Sequence, residues 1–397
     1  MFSYPGNKPL LCQLHAEEFG EYTLARALLA MLRSDVHDHV EWPLHLEEFI
    51  YLVEAAGFEV IETVLQTRMR QHGGFLFGRG KVDEIAQIVA MEDIETVAVY
   101  NVLTSMQKFN LQRVIGVPVL DRYEIVLQVF GREARDNISQ LQLELAALQK
   151  SYPYIKVTES ERLLHERPAR RGGRGPGEYA YHAQLRQLRK RIAKVTSELT
   201  RYRGEHRRRM RKRRQMGVPM VCIVGCYNAG KTSLFNALTG AEKEVSARPF
   251  TTLASKWSLA GNPGLFFVDT IGFALDLDPE LISAFQLNLD DMRAADVLLL
   301  VVDISDAIQL LGMKIESSLE ILRATGIDEA RILVVLNKTD LVDSEEAEEA
   351  TAFIKEAYKL PSVSVSAETE SNFEELMTKI RVIYEMVGVA SSSPRQE

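Results

Sequence analysis

The amino-acid sequence predicts an α/β fold in which a doubly wound, mostly parallel sheet follows an α/β N-terminal domain and a long antiparallel helical hairpin. Continuous apolar runs recur between residues 217 and 386, as expected for parallel strands that are covered on both faces. Strand and helix patterns alternate between residues 46 and 118, which favours a second α/β layer. Two long helical patterns on either side of a loop rich in glycine and arginine predict the hairpin.

These patterns divide the 397 residues into four segments. We expect an α/β domain over residues 1–122, a helical hairpin with a glycine-rich loop over 123–216, a sheet domain over 217–386 and a disordered tail over 387–397. A chain of this length holds about two or three domains, and its hydrophobic content of 46% supplies enough apolar side chains for their cores.

Composition argues against a membrane-spanning or secreted protein. No apolar run is long enough to cross a bilayer, and the first residues lack the regions of a secretory signal. Three cysteines without metal-binding spacing fit a reducing, cytoplasmic setting. We also expect a monomer, although the sequence leaves both the oligomeric state and peripheral membrane association open. The net charge of −8 argues against nucleic-acid binding, but the basic residues concentrate between about 160 and 215.

The first segment alternates between helix and strand after an ambiguous start. Residues 1–40 have no clear pattern, although Glu21 to Leu32 carries helical spacing. The predicted elements that follow are helix Leu46–Ala56, strand Phe58–Gln66, helix Lys81–Ala90, strand Thr96–Tyr100, helix Ser105–Ile115 and strand Pro118–Leu120.

The hairpin combines two helical patterns, Glu124–Gln149 and Tyr179–Gln215. The second pattern ends in a run of arginine and lysine at residues 207–214, whose charge can neutralise nucleic-acid phosphates. The alternative is an ordinary solvated helix face. Tyr179 and Tyr181, just after the loop, can stack on bases or can simply pack the hairpin.

The third segment begins with a strand that leads directly into a phosphate-binding pattern. Its predicted strands are Met220–Val224, Leu265–Val268, Val297–Val302, Ile332–Leu336 and Val363–Val365. The pattern G-x-x-x-x-G-K-[ST] follows the first strand, and Lys231 would reach the β- and γ-phosphates of a nucleotide while Thr232 holds Mg²⁺. The residues expected to surround the phosphates are Gly225, Cys226, Tyr227, Asn228, Ala229, Gly230, Lys231, Thr232 and Ser233.

Two further segments complete the predicted phosphate and magnesium site. Asp269, Thr270, Ile271 and Gly272 form a D-x-x-G pattern after the second strand, where the Asp269 carboxylate can bind the Mg²⁺ shell and the Gly272 N–H can reach the γ-phosphate. The segment Phe250-Thr251-Thr252 would close over the γ-phosphate and Mg²⁺, and we prefer Thr252 to Thr251 as the metal ligand. Lys231, Thr252 and Gly272 are therefore the predicted catalytic residues.

A guanine-reading pattern follows the fourth strand, at Asn337-Lys338-Thr339-Asp340. The Asp340 carboxylate can accept from both N1–H and the exocyclic amine of guanine, a pair of donors that adenine lacks. The stem of Lys338 would pack over the base, and Ser366 and Ala367 suit a backbone contact to the guanine O6. The sequence therefore predicts GTP and GDP as ligands.

This combination resembles the translation-factor-like class of P-loop GTPases. Relatives that position the attacking water directly often carry glutamine after D-x-x-G, whereas this chain carries Phe273. We therefore expect that intrinsic hydrolysis is slow, or that it depends on another group, a cation or a partner. Asn228 resembles the asparagine with which several such GTPases hold K⁺ beside the phosphates.

The regions before the GTPase pattern resemble the HflX family, in the Obg-HflX group. The segments that carry the resemblance are Gly78–Val82, Asn110-Leu111, Asp121-Arg122, Phe130–Ala134, Leu141–Ala146, Gly172–Glu178 and Asp269–Phe273. They occur in family order and cover about residues 45–380. This chain departs from the family at Tyr227, where threonine is frequent, and in a shorter glycine-rich loop.

The resemblance implies a GTPase that binds the large ribosomal subunit and ribosomal RNA, with the hairpin loop near the catalytic centre of the ribosome. Members are linked to splitting or rescuing stalled ribosomes under stress. The alternative is an RNA-binding or ribosome-assembly scaffold in which the nucleotide is mainly structural. A third possibility, an ATP-dependent remodeller that uses the N-terminal region, ranks last because no second complete phosphate loop is present.

Overall fold

The computed structural model describes residues 24–34, 41–165, 176–241, 250, 253, 255–260 and 264–392. It forms two compact units, residues 1–200 and residues 201–397. Among the described residues, no helix combines the length and apolar character that a bilayer crossing needs.

The first unit contains a four-stranded parallel sheet in the order β2-β1-β3-β4. The strands are β1 (Ala25–Arg33), β2 (Phe58–Thr67), β3 (Thr96–Val99) and β4 (Val119–Asp121). The helices are α1 (Glu41–Ala55), α2 (Arg79–Met91), α3 (Ser105–Ile115), α4 (Arg122–Glu133), α5 (Asn137–His165) and the start of α6 (Pro176–Gln215). The predicted α/β layer with parallel pairing is confirmed.

Strand β1 corrects the helical interpretation of residues 21–32. The strand lies inside the sheet, and its central residues from Ala27 to Leu32 are buried. A strand that is covered on both faces is apolar at nearly every position, so its pattern does not separate it from a helix.

The single helix predicted over Glu124–Gln149 is in fact two helices, α4 and α5. Asp136 lies between them, and its carboxylate accepts from the backbone N–H groups of Ile138 and Ser139 at 3.0 and 2.9 Å. Such a side-chain cap starts a new helix because it satisfies backbone donors that have no partner within the helix.

Within the described residues, the second unit contains a six-stranded sheet in the order β10-β9-β8-β5-β7-β6, in which β6 runs antiparallel to β7 and the other neighbours pair in parallel. The strands are β5 (Met220–Val224), β6 (Lys256–Ala260), β7 (Leu265–Asp269), β8 (Val297–Asp303), β9 (Ile332–Asn337) and β10 (Ser362–Ser364). The helices that follow α6 are α7 (Lys231–Thr239), α8 (Pro279–Ala284), α9 (Gln286–Ala294), α10 (Ile308–Ala324), α11 (Ser344–Ala357) and α12 (Phe373–Ser392). This is the predicted doubly wound, mostly parallel sheet.

The edge of the sheet and the last helix of the second unit each differ from the expectation. The antiparallel edge strand β6 was not predicted, and α12 continues to Ser392, into the segment that we expected to be a tail. Strands β5, β8 and β9 are buried at every position and form the centre of the core. The predicted motifs follow the carboxyl ends of these buried strands. The domain boundaries themselves stay predictions.

Candidate nucleotide-binding site

The phosphate-binding pattern forms the turn between β5 and α7. Gly225 has a φ of +135°, and a Cβ atom there would lie 2.2 Å from the carbonyl oxygen of Val301. Gly230 has a φ of +86°, and its Cβ would lie 2.2 Å from Nδ2 of Asn337. Both positions therefore require glycine, because L side chains rarely adopt these dihedrals and the neighbouring atoms leave no room. Asn228, also at positive φ, is exposed at the tip of the turn.

Lys231 and Thr232 begin α7 and are both buried. The Lys231 ammonium donates to the backbone oxygen of Cys226 at 2.7 Å, inside the turn. Burial lowers the pKa of Lys231 to about 8, although Asp269 nearby acts in the opposite direction. The Thr232 hydroxyl donates to Oδ2 of Asp269 at 3.1 Å. A hydroxyl and a carboxylate side by side are oxygen ligands of the kind that Mg²⁺ prefers.

The D-x-x-G segment lies directly against the phosphate-binding turn. The N–H of Phe273 donates to the Gly225 oxygen at 3.0 Å, and the N–H of Tyr227 donates to the Phe273 oxygen at 2.8 Å. A Cβ on Gly272 would lie 3.1 Å from the Lys231 Nζ, so this glycine is beside the ammonium. Phe273 is only 2% exposed, so its ring belongs to the buried core. Thr270 anchors the segment by donating to the oxygen of Ile223 at 2.7 Å.

The Asn337-Lys338-Thr339-Asp340 pattern is joined to the phosphate-binding turn by Asn337. Its amide Nδ2 donates to the Ala229 oxygen at 2.9 Å, and its Oδ1 accepts from the Ala367 N–H at 3.0 Å. Ser366 donates to the Asp340 carboxylate, which is on the exposed side of the pattern. The structure therefore brings together three segments around the Asn337 side chain. They are the phosphate-binding turn, the Asn337–Asp340 pattern (the tetrad) and the Ser366-Ala367 segment.

The side chain of Lys338 makes a contact that the sequence did not indicate. Its ammonium pairs with the carboxylate of Asp303 at the end of β8, and Lys338 itself has a φ of 71°. Thr339 starts a short 3-10 helix that ends at Leu341. The left-handed backbone of Lys338 and its ion pair with Asp303 together set the direction of the chain after the end of β9.

The effector segment (residues 250–255) is described in part. Phe250 is buried, and its ring lies 5.3 Å from the ring of Tyr227, measured between centroids. Thr251 and Thr252 lie outside the described residues, so their predicted roles stay predictions. The same holds for Gly172 to Gly175 of the glycine-rich loop and for the side chains of Tyr179 and Tyr181.

Sequence reasoning missed Asn288, which holds the far end of the effector segment. It lies in α9, is 1% exposed, and contacts Leu253 and Ser255. No motif marks it, because a single asparagine in a helix is more often a solvated residue than a buried one. Only the packing of α9 against the effector segment identifies it.

The arginine-rich end of α6 contains two groups of basic residues, one packed against the second unit and one exposed. Arg203 binds Asp290 through two nitrogens at 2.5 and 2.7 Å, and the Arg213 guanidinium lies 4.0 Å from the centre of the Trp257 ring. These arginines pack against their own domain. Arg207 is exposed and lies 3.4 Å from the Asp290 carboxylate. The other basic residues of this helix end are also exposed, namely Arg208, Arg209, Arg211, Lys212 and Arg214.

Three family models match the chain in succession. Their descriptions are "GTP-binding GTPase N-terminal" over residues 44–131, "GTP-binding GTPase Middle Region" over 133–214 and "50S ribosome-binding GTPase" over 220–338.

Similar proteins match over most of the chain. A GTPase HflX of Hyperthermus butylicus is 33% identical over 349 residues, which cover 85% of this chain and 92% of that protein. A GTPase HflX of Thermofilum pendens is 37% identical over 315 residues, covering 79% and 73% of the two chains. Among solved structures, a GTP-binding protein from Sulfolobus solfataricus in complex with GDP is 26% identical with a TM-score of 0.44, covering 91% of this chain and 99% of that one.

Proposed function

The chain belongs to the HflX family of GTPases, and we propose that it is a switch that engages the large ribosomal subunit, in ribosome splitting, rescue or the stress response. It binds guanine nucleotide and hydrolyses GTP. The observation that carries the proposal is the match of residues 220–338 to the 50S ribosome-binding GTPase model, next to an exposed basic helix end.

The nucleotide roles that we propose follow the contacts around the phosphate-binding turn. Lys231 neutralises the β- and γ-phosphates, since its ammonium already lies among the backbone groups of the turn. Thr232 and Asp269 hold Mg²⁺, with Thr252 as a further ligand when GTP is bound. Gly272 donates its N–H to the γ-phosphate, from a position beside the Lys231 ammonium.

Guanine selection is assigned to the tetrad and the Ser366-Ala367 segment. Asp340 accepts from guanine N1–H and the exocyclic amine, and the Ala367 region reaches O6. This assignment is supported by Asn337, because its two hydrogen bonds tie the base-reading segments to the phosphate-binding turn. The Asn337 side chain would therefore position both the segment that binds the guanine base and the turn that binds the phosphates.

Hydrolysis by this switch depends on a group other than residue 273. The Phe273 ring is buried and has no polar atom with which to orient water. We therefore infer a slow basal rate, K⁺ held beside the phosphates by the exposed Asn228, and stimulation by the ribosome. Equal rates in K⁺ and Na⁺ at matched ionic strength would remove the potassium role.

The ribosomal contact is assigned to the exposed basic residues of α6. Arg208 and Arg209 are solvent-exposed, and arginine clusters of this kind release counterions from RNA phosphates. The contact should therefore weaken steeply as salt concentration rises. A cytoplasmic location follows from a ribosomal partner and forms part of the same proposal.

The test is co-sedimentation of the full chain with large subunits, in the presence of a GTP analogue or GDP. Arg208→Glu with Arg209→Glu should weaken binding at least about tenfold, because each lost phosphate contact removes a released counterion. The matched control, Lys355→Glu with Arg381→Glu, changes the net charge equally at exposed positions outside α6. Equal loss in both variants, or no co-sedimentation of the unaltered chain in either nucleotide, would overturn the assignment. Binding without stimulated turnover would favour an assembly scaffold.

A further inference from the structure

A cleft in the second unit lies between the arginine-rich end of α6 and the sheet. Its volume is about 360 Å³, which is within the range of sites that hold one small ligand. Met220, the first residue of β5, and Asp296, which directly precedes β8, both line it. The cleft therefore reaches the amino ends of the parallel strands, whereas the GTP-binding motifs follow their carboxyl ends. It is separate from the nucleotide site.

The floor of the cleft is aromatic. Trp257 and Phe266 both line it, are half-buried, and meet edge to face with their ring centroids 6.4 Å apart. The Arg213 guanidinium lies 4.0 Å from the centre of the Trp257 ring and 5.8 Å from that of Phe266. Guanidinium planes and aromatic rings are the two kinds of group on which unpaired bases stack. A flat base can therefore join this stack.

The walls of the cleft carry more positive than negative charge. Five arginines line it against two aspartates, and both aspartates are already engaged. Asp296 accepts from a backbone N–H at 2.8 Å, and Asp290 accepts two hydrogen bonds from Arg203. Arg211 and Arg214 form no ion pair with any of the residues that the structure describes. The charge of the cleft therefore favours an anionic ligand.

The basic residues of α6 extend beyond the cleft. Arg207, Arg211 and Arg214 all line it, and their spacing of four and three residues puts them on one face of the helix. Arg208 and Lys212 follow them in sequence, are exposed and do not line the cleft. A single nucleotide would meet the first group alone, whereas the successive phosphates of a strand can meet both. This arrangement favours a nucleic-acid strand over a free nucleotide.

We propose that the cleft binds one unpaired nucleotide of an RNA strand. Its base stacks against Arg213 and Trp257, and its phosphate is held by Arg211 and Arg214. The choice of RNA rests on the proposed ribosomal partner, whereas the cleft itself requires only a base and a phosphate. An acidic peptide would match the charge but would bring no flat base to the aromatic floor.

The first test measures binding of the full chain to a short, fluorescein-labelled oligouridylate by anisotropy. The comparison strand has the same length and the same phosphates but lacks bases. Stacking of one base contributes at least about fivefold in affinity, so the strand with bases should bind at least that much more tightly. Equal affinities would show that only the phosphates are bound and would overturn the proposal. So would equally effective competition by free uridine monophosphate or by oligoglutamate.

The second test uses the two tryptophans of the chain as a matched pair. Trp257→Leu should abolish the preference for the strand with bases. Trp42→Leu should keep it, although Trp42 also lies under an arginine, with Arg33 at 4.6 Å from the ring centre. An equal effect of the two substitutions would refute the stack.

The phosphate contact has its own pair of variants. Arg211→Met with Arg214→Met should weaken binding of the oligouridylate at least about tenfold, because two phosphate contacts are lost. Lys355→Met with Arg381→Met removes the same charge at exposed positions outside α6 and should change affinity by less than about twofold. Equal losses in the two variants would show that the net charge of the chain, and not the cleft, determines binding.

A fluorescence measurement keeps the native ring in place, in case Trp257→Leu fails to fold. In a Trp42→Phe chain, Trp257 is the remaining tryptophan, and a base stacked beside it should quench its emission. Quenching should saturate at the midpoint found by anisotropy and should be absent with the strand that lacks bases. Binding without quenching would overturn the proposal. Co-sedimentation with large subunits would still test the ribosomal function separately, since that assay does not depend on a preference for bases.

Discussion

Replacing Asn337 with alanine tests whether one side chain supports both halves of the nucleotide site. Asn337 is 1% exposed, donates to the Ala229 oxygen at 2.9 Å and accepts from the Ala367 N–H at 3.0 Å. Alanine leaves one carbonyl and one N–H without these partners, and each such loss costs about 1–3 kcal/mol. Ala229 is buried and Ala367 is half-buried, so water can replace the lost partner of the Ala367 N–H, and we expect the lower part of the range, about 2–3 kcal/mol in total.

That cost should appear in two measurements. Urea denaturation should give an unfolding free energy about 2–3 kcal/mol below that of the unaltered chain. Affinity for GTP and GDP should fall together, by about 10- to 100-fold, because the turn and the base-reading segment lose their common support. The control is Asn372→Ala, which removes an exposed asparagine that donates to the Ser364 oxygen at 2.8 Å and should leave nucleotide affinity unchanged. GDP affinity within twofold of the unaltered chain would refute the reasoning.

Three further predictions concern the phosphate-binding turn. Since burial lowers the pKa of Lys231 to about 8, the ammonium is present below that pH and lost above it, so GDP affinity should fall between pH 8 and about 9. Fluorescence titration checks this, and Lys231→Arg, which stays charged, should remove the pH dependence. Gly225→Ala should destabilise the chain by at least about 3 kcal/mol on denaturation, against about 1 kcal/mol for Gly240→Ala, whose added Cβ has open space; similar costs would contradict the contact with Val301. Phe273→Gln should not raise the basal GTPase rate, because position 273 is buried; a faster rate would show that the side chain can reach the water.

Five of the six strands of the GTPase domain, and its phosphate-binding turn, were predictable because local sequence determines them. Strand β5 and the turn from Gly225 to Gly230 need apolar residues and glycines at fixed spacing, and both occupy the predicted positions. Strand β1 was missed because burial on both faces removes the alternation that identifies a strand. Strand β6 was missed because a short, half-exposed edge strand has little pattern of its own.

The residues of the candidate site also fall into two groups, those that the sequence identifies and those that only the structure identifies. The residues of the phosphate-binding turn and the tetrad are contiguous in sequence, so spacing alone identifies them. The contacts of Asn288 with Leu253 and of Arg203 with Asp290 join residues 35 and 87 positions apart. No local pattern encodes such pairs, because they depend on how α9 packs between its neighbours.

The most direct test of the ribosomal switch is the steady-state GTPase rate of the full chain with and without purified large subunits. We predict a slow basal rate that rises at least about tenfold with large subunits, which corresponds to about 1.4 kcal/mol of transition-state stabilisation. Arg208→Glu with Arg209→Glu should lose this stimulation and keep the basal rate. A rate that large subunits leave unchanged, at concentrations that saturate co-sedimentation, would contradict the account.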